Sequence, residues 1–261
     1  MNVGGPGQRQ AGTAYAASVP EDVILRRPVA APRRTRTGRH LLLCGVLAGP
    51  LSFVIDVAQA LTRPGYDLFR QPVSSLALGP HGWIQVLNFL LGGVLMLGFA
   101  LGLDRALRAL GRPSRWGPAL IASWAVGLLG AGIFVTDPIG GYPVGEPVQH
   151  GHTVHGVLHA FPFSMLLVAA LIAACAVFAR RFTDEGRHGW AAYCVATAVA
   201  VFAGFCLFGL SFTIGAGPVD QAGLIQLVTI AVGWGWLALL ALHLRARLAA
   251  AVTRDDVAVR P

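Results

Sequence analysis

Six stretches of the chain are apolar over lengths that suit a bilayer. They cover about residues 41–62, 83–103, 118–136, 156–179, 190–212 and 223–244. Each approaches the roughly 20 residues that a helix needs to cross about 30 Å of hydrocarbon. Their apolar residues are continuous and do not alternate, which favours helices over the strands of a barrel. The pattern predicts an all-α fold: a polytopic bundle of six transmembrane helices over residues 41–245. Residues 1–40 and 246–261 are read as tails.

Polar residues crowd toward one side of this array. Asp56 and Gln59 fall in the first run, and His81, Gln85 and Asn88 mark the start of the second. Thr136 and Asp137 close the third, and His155, His159 and Ser164 open the fourth. Ser211 and Thr213 end the fifth, and Asp220, Gln221 and Gln226 lead into the sixth. The opposite halves are almost featureless. Polar groups are expensive in hydrocarbon and turn toward the bundle interior or water. Six helices polar toward one leaflet predict a cup open to that side. Glycines in "GGVLMLG" and "GLLGAG" lie inside runs, where they suit close helix packing better than phosphate binding.

Composition agrees with the pattern. The chain is 55% hydrophobic and 12% charged, against about a quarter charged in soluble proteins. Its net charge of +8 comes from arginine alone, for there is no lysine. Eighteen arginines fall in the tails and in the links after the second and fourth runs; only Arg63 and Arg70 fall on the other side. Positive links stay in the cytoplasm, so both termini are expected inside, at the cell membrane, with the cup outside. The asymmetry explains the basic balance without a nucleic acid partner and leaves membrane lipids as the surroundings. Residues 1–40, rich in Gly, Pro, Ala and Arg, read as a disordered cytoplasmic tail, solvated or resting on anionic headgroups. Cys44, Cys175, Cys194 and Cys206 all lie within runs without C-x-x-C spacing, and read as packing residues.

The candidate chemistry lies in "VQHGHTVHGVLH". His155 and His159 are four apart and share a helix face. Neutral imidazole suits zinc, and a catalytic zinc wants three protein ligands and an open position. His81, His155 and His159 would supply three, with Asp137 orienting a ring or acting as a base. A hydrogen-bonded histidine cluster, a proton relay or pH sensor, and haem ligation are the other readings. Asp56, about six residues inside its run, is expected to face the bundle and contact the cup, as an acceptor or a member of the site. Ser74 or Ser75 in "QPVSSLALG" would offer a nucleophile or mark a turn.

The elements "PVSSLALGPHGW", "GAGIFVTDP" and "HGHTVHGVLH" together resemble the bacterial and archaeal membrane family called domain of unknown function 998. The resemblance covers about residues 40–245. It implies six spans and no established activity, with Ser74 or Ser75, Asp137, His155 and His159 as the polar signature. A looser likeness is to membrane hydrolases of the alkaline ceramidase and progestin-receptor type, which usually have seven spans; it is an analogy only. Three functions remain open. One is a metal-dependent membrane hydrolase acting on a lipid or lipid-linked substrate. The others are a transporter or proton-coupled carrier, and a noncatalytic scaffold or pH sensor.

The arginine split generates a topology test. Single cysteines at Asp220 and Ser114, in a chain lacking the native four, are treated with an impermeant thiol reagent on whole cells. Asp220→Cys is expected to label and Ser114→Cys to stay protected; the reverse result inverts the orientation.

Overall fold

The computed structural model describes residues 32–139, 141–146, 151–213 and 221–258, together with Met1. The disorder expected for the N-terminal tail falls largely outside these residues, as do His150 and Asp220. Among the described residues, six helices make up the bundle: α1 (Pro32–Thr62), α2 (Gly82–Ala109), α3 (Trp116–Ile133), α4 (Val154–Asp184), α5 (His188–Thr213) and α6 (Ala222–Ala258). Each contains a stretch long and apolar enough to cross a membrane. The chain is an all-helical, multi-pass membrane protein. α1 and α6 also run beyond their apolar stretches, into the arginine-bearing ends of the chain.

The helices pack in chain order. α1 lies on α2, α2 on α3, α3 on α4, α4 on α5 and α5 on α6, and α6 returns to α1. α2 also reaches α6 across the ring. The arginine-side half is filled by Met96, Phe99, Leu103, Phe178, Trp236 and Leu237, all buried. Trp124 and Trp234 meet edge to face at 4.6 Å. Trp236 Nε1 donates to Cys194 Sγ at 3.3 Å, so this thiol packs as an apolar residue with one weak polar contact. Leu47, Val54, Leu87, Val94, Val199 and Phe202 are exposed on the outside of the ring, as a lipid-facing surface requires.

α4 is not uniform. Val154–Leu158 is α-helical, His159–Phe163 makes a π-helical turn, and Ser164–Asp184 is α-helical again. Pro162 lies in the π turn. Proline has no N–H and its ring crowds the carbonyl of residue i−4, so a widened turn accommodates it. Ser164 Oγ donates to the His159 carbonyl at 2.7 Å and occupies an acceptor in the irregular turn.

Small residues set the helix spacing, as expected. A Cβ at Gly93 would lie 2.6 Å from Leu129, and one at Gly130 would lie 2.0 Å from the Phe163 ring. Phe163 cannot yield freely, because it stacks on Phe134 at 5.3 Å. Gly130→Ala is therefore expected to cost about 1–3 kcal/mol through overpacking, read as a lower thermal midpoint in detergent. Gly235 has open space around its Cβ position, so Gly235→Ala should be neutral or stabilising by up to about 1 kcal/mol.

Candidate functional site

One stripe that runs along α1 to Arg63, the residue just past its end, meets one stripe on α2. Ser52, Asp56, Gln59 and Arg63 follow helical spacing and are all buried. Gln85 and Asn88, three apart near the start of α2, are buried opposite them. Arg63 Nη2 donates to Gln59 Oε1 at 2.7 Å. Gln59 Nε2 donates to Gln85 Oε1 at 2.6 Å. Gln85 Nε2 donates to Asp56 Oδ1 at 2.8 Å. Asn88 Nδ2 reaches the same oxygen at 2.9 Å and the Ser52 carbonyl at 3.3 Å. The result is a directional chain, with a guanidinium at one end and a carboxyl at the other. Two amides between them point their donors toward the carboxyl. Aligned bonds of this kind polarise one another in a low dielectric.

The link between α1 and α2 closes over this chain. Arg63 also donates to the carbonyls of Leu78 (3.3 Å) and His81. Val73–Ala77 forms a 3-10 turn, and the Val73 amide donates to Gln226 Oε1 of α6 at 2.7 Å. Tyr66 meets Tyr142 edge to face at 5.4 Å, and a small apolar cluster of Ala60, Tyr66, Val73, Leu76, Tyr142 and Leu227 caps this end of the bundle. The Tyr66 hydroxyl donates to the Gln71 carbonyl at 3.0 Å. Burial pushes the phenol above its ordinary range and keeps it a neutral donor. The expected open cup is thus roofed where Asp56 lies: a carboxyl flanked by membrane needs a dry, packed cover as well as hydrogen bonds.

Asp137 and the histidines form a second group. Asp137 accepts from the Thr153 hydroxyl at 2.5 Å and from the Thr153 amide at 3.0 Å. Thr153 caps α4 by accepting from the Gly156 amide at 3.0 Å. A Cβ at Gly156 would lie 2.1 Å from Asp137 Oδ2, so only glycine lets the carboxylate approach. A carboxylate at a helix N-terminus is favourably placed against the helix dipole. His152, exposed, stands 3.7 Å from Asp137. His155 is exposed and rests its ring on Phe134 at 5.5 Å. His159 is buried, and its Nδ1 lies 3.0 Å from the Ala131 carbonyl and 2.8 Å from that of Phe134. Carbonyls only accept, so Nδ1 carries the hydrogen and shares it. His159 thereby serves carbonyls at the end of α3 that have lost their helical donors.

The three histidines read as metal ligands do not form a ligand set. His81 precedes α2, exposed, with its carbonyl held by Arg63. His155 stays at the surface, and His159 spends Nδ1 on backbone. Among the described residues, no three His, Cys, Asp or Glu side chains stand close enough to hold an ion. The physical reason is that the local helix ends claim these polar groups first. Ser74 is half-buried; its neighbour Ser75 is fully buried with a hydroxyl that finds no partner. Asp56 faces the bundle as expected, but its partners are Gln85 and Asn88, not the histidines. Among the described residues, no hydrogen bond or ion pair joins the Asp56 chain to the Asp137 group. Sequence reading noted Gln59, Gln85 and Asn88 only as polar and Arg63 only as a charge. The spacing 52, 56, 59, 63 was the signal that places them together.

Fold and site define a six-helix membrane protein with a roofed polar chain between its first two helices. The chain belongs to the family described as Protein of unknown function (DUF998), whose profile matches residues 46–243. No curated protein and no solved structure matches it.

Arg63 and Asp56 do not touch in the hydrogen-bonded chain, yet they should be coupled through Gln59 and Gln85. A double-mutant cycle of Arg63→Met and Asp56→Asn, followed by thermal unfolding, is expected to give about 0.5 kcal/mol or more of interaction energy. Introducing Gln85→Leu should reduce that coupling to near zero. Additive single effects would mean that the chain carries no coupling.

Proposed function

We propose that the protein binds a membrane lipid or lipid-linked molecule from the side. Its hydrocarbon part lies between α1 and α2, and its polar part approaches the Asp56 chain. The observation that carries this reading is a cavity of about 490 Å³ lined by Ile55, Trp83, Leu87, Leu91, Val94 and Asn88, among others. Its lining is otherwise apolar, and it belongs to spans whose outer surface meets hydrocarbon. Trp83, 60% exposed in the first turn of α2, suits headgroup level. Asn88, the polar member, is the residue that also holds Asp56. By the arginine split, this groove opens to the outer leaflet of the cell membrane and both termini are cytoplasmic.

This reading keeps the lipid or lipid-linked ligand of the hydrolase hypothesis and moves its chemistry from the histidines to Asp56. Asp56 is the acid–base group of this site; the Asp137 carboxylate is engaged by Thr153. A proton-coupled carrier is favoured less, because large apolar side chains fill the arginine-side half of the ring.

Native mass spectrometry of protein extracted in mild detergent tests the proposal. The parent should retain lipid. Leu91→Trp, which fills the groove, should release it; Val199→Trp, on the lipid-facing side of α5, should not. Equal retention by the parent and Leu91→Trp sinks the reading. A lipid-cleaving activity lost in Asp56→Asn would extend binding to catalysis.

A further inference from the structure

The opposite end of the bundle holds a second site, independent of the groove. Four arginines share one carboxylate there. Glu185, nearly buried, lies 2.7 Å from Arg247, 3.3 Å from Arg181, 3.7 Å from Arg187 and 3.8 Å from Arg112. Arg187 also donates to His243 Nε2 at 2.9 Å, a neutral acceptor that leaves its charge intact. One negative charge faces four positive ones. Two of the four, Arg112 and Arg181, also line a cavity of about 240 Å³ between the α2–α3 link and the end of α4, together with Ser114, Phe178, Arg180 and Asp184 among others. Arg180 is exposed and, among the described residues, has no ion pair or hydrogen bond. Arg112 holds Glu185 only at the long distance given above. The Nη2 atom of Arg181 is buried and donates to nothing. Asp184 is the one acid in the lining, and Glu185 is shared among four arginines, so the five arginines of this end exceed its two acids by three.

We propose that this cavity binds a phosphate group, carried by an anionic lipid headgroup or free in solution. A buried guanidinium N–H without an acceptor is costly. The planar fork of arginine matches phosphate oxygens in pairs. The site also lies where membrane helices end, on the arginine-rich face, the level at which phosphodiester headgroups stand. Phe178, buried, supplies an apolar part of the lining.

The test uses the full chain in two settings. In nonionic detergent, inorganic phosphate is titrated and the thermal midpoint followed. In nanodiscs, phosphatidylcholine alone is compared with phosphatidylcholine containing phosphatidylglycerol. Arg112→Gln/Arg180→Gln removes two exposed arginines and leaves the Arg181–Glu185 pair in place. Arg105→Gln removes an exposed arginine outside the cavity. The parent should be stabilised by the anion, and the double variant should lose about tenfold or more in apparent affinity, with Arg105→Gln close to the parent. Stabilisation by phosphatidylglycerol but not by phosphate assigns a lipid source; the converse assigns a free anion; either upholds the site. Parent-like binding by the double variant overturns it. So does an equal loss in Arg105→Gln, which would mean diffuse charge attraction, and so does a parent that responds to neither anion.

Discussion

Hydrocarbon offers a polar group no water, so every donor and acceptor inside the bundle must be answered by the protein itself. Asp56 shows how far that rule reaches. A charged Asp at mid-membrane costs about 2.5–3.5 kcal/mol on insertion scales. The structure meets this demand with two amides on one oxygen and a guanidinium two bonds further along. Satisfying the carboxyl fixes the register of α1 against α2. Satisfying Arg63 in turn draws the carbonyls of Leu78 and His81 onto the end of α1. The roof over the site is a consequence of burying that charge chain.

The same rule governs the other helix ends. α3 stops at Ile133 and leaves carbonyls inside the bundle. His159, carried on a widened turn of α4, supplies the donor. α4 begins with free amides, and Thr153 with Asp137 supplies acceptors. Residues that look like catalytic equipment in the sequence are thus engaged in finishing helices.

The six spans were legible because a long apolar run has one main solution in a bilayer. α3 alone ends early: Phe134 leaves the helix in extended geometry, four residues before Pro138. The inward face of Asp56 was legible for the same energetic reason. Its partners were not, because run-by-run reading does not show which two stripes meet; that follows from the packing of α1 on α2. The histidine assignment failed as a ligand set for a physical reason as well. Spacing of four places two rings on one face, but it says nothing about carbonyls from another helix that reach one of them first. Ser75 was named together with Ser74, yet only packing distinguishes the buried hydroxyl from the half-exposed one.

The brevity of α3 bears on the membrane around the protein. Its 18 residues rise about 27 Å at 1.5 Å per residue, whereas α2 has 28 and rises about 42 Å. The excess of α2 lies at its C-terminal end, where Asp104, Arg105 and Arg108 belong among headgroups or in water and not in hydrocarbon. At about 27 Å, α3 comes close to the roughly 30 Å of hydrocarbon with nothing to spare, and α2 carries its charged turns past that limit on the arginine-rich side.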